Sequence, residues 1–189
     1  MMNWPSAVSR LLRLAIIFVL LPAPTAVGAG SVLINEVAWM GTVSNTADEW
    51  VELRNTTSAA VDLTGWGLYE AGGSTLIINL SGSIAAGGYY LIERSDDNSV
   101  SDVAADVSGP FSGSGLNNSG EYLVLKDSAG AAVDSVDASA GWPAGDNASK
   151  ASMERKSDGT WQTNDGVTIN GKDAGGGNIV GTPRTANSS

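Results

Sequence analysis

From Ser31 onward, short apolar runs are separated by clusters of Gly, Ser, Asn and Asp. This is the pattern of strands and turns, and no stretch with a 3.6-residue period competes with it. The spacing predicts strands at Val32–Ala38, Glu49–Arg54, Trp66–Glu70, Thr75–Leu80, Tyr89–Glu93, Glu121–Lys126 and Val133–Val136, with shorter pieces around Ser152–Arg155 and near Trp161. Several runs alternate. Val51 and Leu53 face one way and Trp50, Glu52 and Arg54 the other, while Leu123 and Leu125 oppose Tyr122, Val124 and Lys126. One apolar face per strand follows from that period of two. Asp127-Ser128-Ala129-Gly130 between two such runs predicts a hairpin, with glycine supplying the positive φ. The fold class is therefore all-β, a sandwich or barrel.

The N-terminus breaks this pattern. Arg10 and Arg13 precede the apolar run Leu14–Leu21, Pro22 and Pro24 end it, and Val27 and Ala29 place small residues three and one before Gly30. This is the arrangement of a secretory signal, predicted as an N-terminal signal helix over residues 1–29 and cut after Ala29. An uncleaved anchor is the alternative, although Leu14–Leu21 falls short of the roughly 20 apolar residues that span a bilayer. Either way the domain is expected outside the cytoplasm, secreted or at the cell surface. The sandwich is assigned to residues 30–163, a single domain. Residues 164–189, rich in Gly, Asn and Thr, are assigned to an irregular or partly ordered tail.

Composition narrows the chemistry. The chain has no cysteine and no histidine. Disulfides, thiolate metal sites, cysteine nucleophiles and Ser-His-Asp arrangements are thereby excluded, along with the commonest general base. Two of the ten basic residues lie in the leader and all twenty acidic ones beyond it, leaving eight against twenty, a net charge of −12. A field of that sign repels phosphate backbones, so nucleic acid is disfavoured as a partner, and no membrane contact is expected beyond the N-terminal segment.

Read in order, a series of fragments resembles the lamin-tail domain family in its exported bacterial branch. They are Ile34-Asn35-Glu36-Val37, Asp48–Asn55, Val61–Trp66, Gly87–Arg94, Leu116–Glu121, Ser152-Met153-Glu154-Arg155-Lys156 and Gly181-Thr182-Pro183. The resemblance implies an immunoglobulin-like β-sandwich acting as a non-catalytic interaction module. The coiled-coil rod of the nuclear members is missing here, so filament assembly does not carry over.

Three candidate sites remain. Asn35, Glu36, Asp48, Glu49 and Glu52 either gather as oxygen ligands for a hard cation or divide into turn-forming Asn and Asp with solvated glutamates, the favoured reading. Asp96, Asp97 and Asp102, with Asn98 and Ser99, form an oxygen-rich loop that suits calcium but lacks the EF-hand spacing, and turn chemistry explains it equally well. Among Trp39, Trp50, Trp66, Trp142 and Trp161 burial is the default. Trp66 is expected in the core, and Trp142, in Gly-Trp-Pro, is the candidate for an exposed binding contact. No Ser-x-x-Lys occurs and the lysines are scattered, which argues against an enzyme. The expected function is a non-catalytic extracytoplasmic adhesion or interaction module that binds a protein or envelope component and has no cofactor. The alternative is a calcium-stabilised structural surface spacer.

Overall fold

The computed structural model describes residues 1–2, 28 and 30–188, so apart from residues 1, 2 and 28 the signal segment predicted over 1–29 lies outside the described residues. Among the described residues no helix is long and apolar enough to cross a membrane. The described residues form twelve strands: β1 Val32–Ala38, β2 Trp50–Asn55, β3 Val61–Asp62, β4 Gly67–Glu70, β5 Thr75–Asn79, β6 Ser83–Ile84, β7 Tyr89–Arg94, β8 Val107–Gly109, β9 Tyr122–Lys126, β10 Ala132–Asp137, β11 Met153–Arg155 and β12 Trp161–Thr163. They form a six-stranded sheet ordered β12-β11-β1-β2-β7-β8, a four-stranded sheet ordered β10-β9-β4-β5, and the small pair β3-β6. All pairings are antiparallel except β7 with β8. The chain is thus all-β, with the sheets layered as a sandwich.

The predicted runs all become strands, shifted by a residue at some ends, and β9 and β10 make the expected hairpin. Asp127 N–H donates to Ala131 O and Gly130 N–H to Asp127 O, with Gly130 at φ 79°. The strands missing from the sequence reading, β3, β6 and β8, are two or three residues long, too short for a period of two to register. Between the large sheets lies a continuous core. Val32, Ile34, Val37, Val51, Leu53, Tyr90, Ile92 and Met153 come from one sheet, and Leu68, Leu123, Leu125, Val133 and Val136 from the other. Burying one such side chain is worth about 1.5–3 kcal/mol, which accounts for a stable domain without disulfides. The ion pair between Arg155 and Asp134, at 3.0 Å, ties β11 of one sheet to β10 of the other.

The expectation of a single apolar face fails for the six-stranded sheet. In β2 only Arg54 is exposed, and β1 and β7 have no exposed residue. The second face of the sheet is covered by the loop after β7 and by residues 164–188. That last segment forms no named strand, in keeping with its composition, yet it packs back onto the domain. Thr182, Asp173, Asn164 and Ile179 are all buried. Gly181 makes the closest approach. A Cβ built there would lie 2.7 Å from Glu36 Oε1 and 2.9 Å from the Trp50 ring, so any side chain would lift the segment off the sheet.

Candidate functional site

Cross-strand register builds the most unusual feature of the molecule. Glu36 on β1 pairs with Glu52 on β2 and with Glu154 on β11, and directly paired residues project to the same face. Three glutamates therefore stand side by side on the outer face of the six-stranded sheet, and each has 0% exposure. Like charges placed this way in a dry layer are strongly destabilising unless donors or protons compensate them.

The C-terminal segment supplies most of the donors. Glu52 accepts from Asn35 Nδ2 at 2.9 Å and from the Arg184 backbone N–H at 2.5 Å. Glu154 accepts from Asn164 Nδ2, Gln162 Nε2, and both the backbone N–H and hydroxyl of Ser188. Glu36 Oε1 accepts from the Ser152 hydroxyl at 2.5 Å and from the Thr182 N–H at 2.9 Å. Asn187 stitches the layer further, with its Nδ2 donating to Asn35 O and Arg155 O.

Proton counting then fixes the state of Glu36. Thr182 Oγ1 lies 2.9 Å from both Glu36 Oε2 and Glu154 Oε1, but a hydroxyl has one proton to give. Both contacts are hydrogen bonds only if one carboxyl is protonated and donates to the hydroxyl oxygen. Glu154 already receives four other donors, so the proton belongs on Glu36 Oε2, giving the chain Glu36 to Thr182 to Glu154. The electrostatics agree. Burial pushes Glu36 up to about 8, with the charge of Glu154 adding to it and the Ser152 and Thr182 hydrogen bonds opposing it. Burial, followed by repulsion from Glu36, also pushes Glu52 well above the usual carboxylate range.

This arrangement corrects both readings of the first candidate cluster. The glutamates are neither solvated nor gathered with Asp48 as ligands. Glu49 points elsewhere, pairing with Arg94 at 3.1 Å and accepting from the Leu116 N–H at 2.6 Å, with burial raising it to about 7. Asp48 stays within its own loop, accepting from Asn45 Nδ2 and the Thr42 hydroxyl. Asn35 serves the buried layer instead of a turn.

The Asp96–Asp102 loop is organised from inside. Glu93 accepts from the Ser99 and Val100 N–H groups at 2.9 and 3.2 Å, and burial raises it to about 7. Asp97 accepts from the Ala105 N–H and Asp102 from the Lys172 N–H, the latter holding the loop to the C-terminal segment. Among the described residues no group of three or more Asp or Glu is arranged to hold a metal ion. Trp142 is half-buried. Its ring stacks on Trp39 at 5.9 Å and 2°, and its Nε1 donates to Asn117 O. Trp66 lies in the core at 3% exposure.

A two-layered β-sandwich whose polar chemistry is turned inward to fasten its own outer layer is a structural module in class. Residues 25–140 match the Lamin Tail Domain family, and the chain belongs to that family. No curated protein matches the chain. The family is one of structural, immunoglobulin-like domains and is not known for catalysis. Glu36 and Glu52 fall inside the matched residues, whereas Glu154 and Thr182, which complete the buried layer, fall beyond them.

Proposed function

We propose that the chain is a non-catalytic, extracytoplasmic binding module that presents loops and strand edges to a protein or envelope component. The observation that carries this reading is the fate of its acid groups. Glu36, Glu52 and Glu154 are the natural candidates for acid–base chemistry, yet each is fully buried and holds the domain's own donors. A substrate would have to unfold the C-terminal segment to reach them. What the molecule offers outward is loop surface and the backbone groups of its edge strands, β5 and β10 on one sheet and β8 and β12 on the other. Such edges accept an added strand from a partner.

The purified chain is expected to associate saturably with isolated envelope material or an envelope protein and to leave ester, glycoside and phosphodiester substrates unchanged. Turnover of any of these, abolished by Glu52→Gln or Asp97→Asn, would overturn the reading.

A further inference from the structure

Every basic side chain in a chain so acidic has many carboxylates and carbonyls to choose from, and most have chosen. Of the eight Lys and Arg residues beyond the leader, six donate a side-chain hydrogen bond within the protein: Arg94, Lys126, Lys150, Arg155, Lys172 and Arg184. Arg54 and Lys156 alone have no such acceptor among the described residues. They are far apart in sequence, yet they line the same cleft, of about 390 Å³.

This cleft opens at the end of the six-stranded sheet where β1 begins and β2 ends. The β11–β12 turn, through Ser157 and Gly159, and the tail at Ala186 and Asn187 complete its walls. None of its lining residues is Asp or Glu, although the chain carries twenty of them. Arg54 is exposed at the rim, with its guanidinium 5.6 Å from the centre of the Tyr89 ring, a contact that leaves its N–H donors unspent. Ser157 brings a hydroxyl that likewise has no partner among the described residues. Arg155, which also lines the cleft, is paired with Asp134. Asp158, close enough to Lys156 to feel its charge, lies outside the lining and accepts from Thr160. Neither Arg54 nor Lys156 donates to a carboxylate among the described residues. An incoming anion would supply the acceptor both lack, through the forked donors of arginine and the point charge of lysine.

We infer that this cleft is a binding site for an oxyanion, a phosphate or carboxylate group, carried on a small polar molecule. The volume lies at the small end of ligand pockets, which run from about 300 to 1,000 Å³, and suits a ligand of one or two sugar rings. The net charge of −12 over residues 30–189 disfavours anions on most of the surface, and the cluster of Arg54 and Lys156 is where that field is locally reversed. The inference rests on the reading of the chain as a binding module and names the chemistry of one of its ligands.

The test is calorimetric titration of the full chain with inorganic phosphate, glucuronate and neutral glucose, alongside flotation with phosphatidylglycerol and phosphatidylcholine vesicles. Saturable binding of phosphate or glucuronate, with none of glucose, is expected. The Arg54→Ala/Lys156→Ala double variant is expected to bind about tenfold or more weakly, given the strength of charge-assisted hydrogen bonds. Lys172→Ala, outside the cleft, should bind as the parent does. Flotation on phosphatidylglycerol alone, lost in the double variant, assigns the oxyanion to a lipid headgroup, and soluble-probe binding without flotation assigns it to a free ligand. Absence of saturable binding to every anion, equal affinity for glucose, or an unaffected double variant would each overturn the inference. Association with an envelope partner that survives the double substitution, with no anion bound, defeats the cleft and spares the module, whereas substrate turnover defeats the module itself.

Discussion

Replacing Glu36 with glutamine distinguishes a protonated structural carboxyl from an ionised one. In the proton chain of the buried layer, Glu36 donates through Oε2 to Thr182 and accepts at Oε1 from Ser152 and the Thr182 N–H. A glutamine amide makes the same three contacts with the same polarity and adds one N–H, so Glu36→Gln keeps every hydrogen bond where Glu36 is neutral and costs at most about 1 kcal/mol for the extra buried donor. The folded value of about 8 stands above the 4.5 of the free side chain. Between those pH values the folded chain holds a proton that the unfolded chain releases. The stabilisation is complete below 4.5 and is lost as pH rises through 8. Each unit in that window is worth about 1.4 kcal/mol, so the wild type forfeits up to about 5 kcal/mol on this group by the alkaline end. The glutamine has no proton to lose. Glu49 and Glu93 are also raised by burial but titrate alike in both proteins, whereas Glu52 loses the repulsion from Glu36, so the difference between the two curves reports Glu36 together with its effect on Glu52. Urea unfolding at intervals from about pH 5 to pH 9 measures it. The variants should agree within about 1 kcal/mol at pH 5, separate in favour of glutamine as pH rises towards 8, and keep a constant gap above it. Parallel curves, or a glutamine variant weaker by more than about 2 kcal/mol at pH 5, would refute the proton assignment.

Thr182→Val keeps the backbone donor but removes the hydroxyl between Glu36 and Glu154. The cost is expected to be about 3 kcal/mol, that of leaving buried polar groups unpaired, with Thr182→Ser within about 1 kcal/mol of the parent. A valine variant of undiminished stability by urea titration would show that the hydroxyl bridges nothing. Millimolar calcium is expected to leave the melting temperature unchanged, because Asp97 and Asp102 each spend an oxygen on a separate backbone N–H and Glu93 holds the loop from beneath. A rise by scanning calorimetry that disappears in Asp96→Asn/Asp97→Asn would instead make the loop a calcium site.

The strands were legible in the sequence because alternation survives in them, as in Val51 and Leu53 against Trp50, Glu52 and Arg54. The function of the alternate positions was not. A glutamate in the middle of a strand is the usual mark of a solvated face, and nothing in local spacing distinguishes it from one buried under a distant segment. Several of its donors sit far along the chain, Thr182 and Arg184 for Glu36 and Glu52 at separations of 146 and 132 residues and Ser188 for Glu154 at 34. They come from a stretch too poor in apolar residues to suggest packing. That segment is held by hydrogen bonds more than by hydrophobic area, so a reading keyed to apolar pattern takes it for a loose end. The usable signal lay in the fragments that carried the family resemblance. Ile34-Asn35-Glu36-Val37, Asp48–Asn55, Ser152-Met153-Glu154-Arg155-Lys156 and Gly181-Thr182-Pro183 meet in one network, and each contributes a glutamate or the glycine and threonine that seat on it. What these fragments share is a role in closing the outer face of the sheet. This explains how acidic residues came to occupy strand centres in a domain where none of the three is available for solvent or substrate.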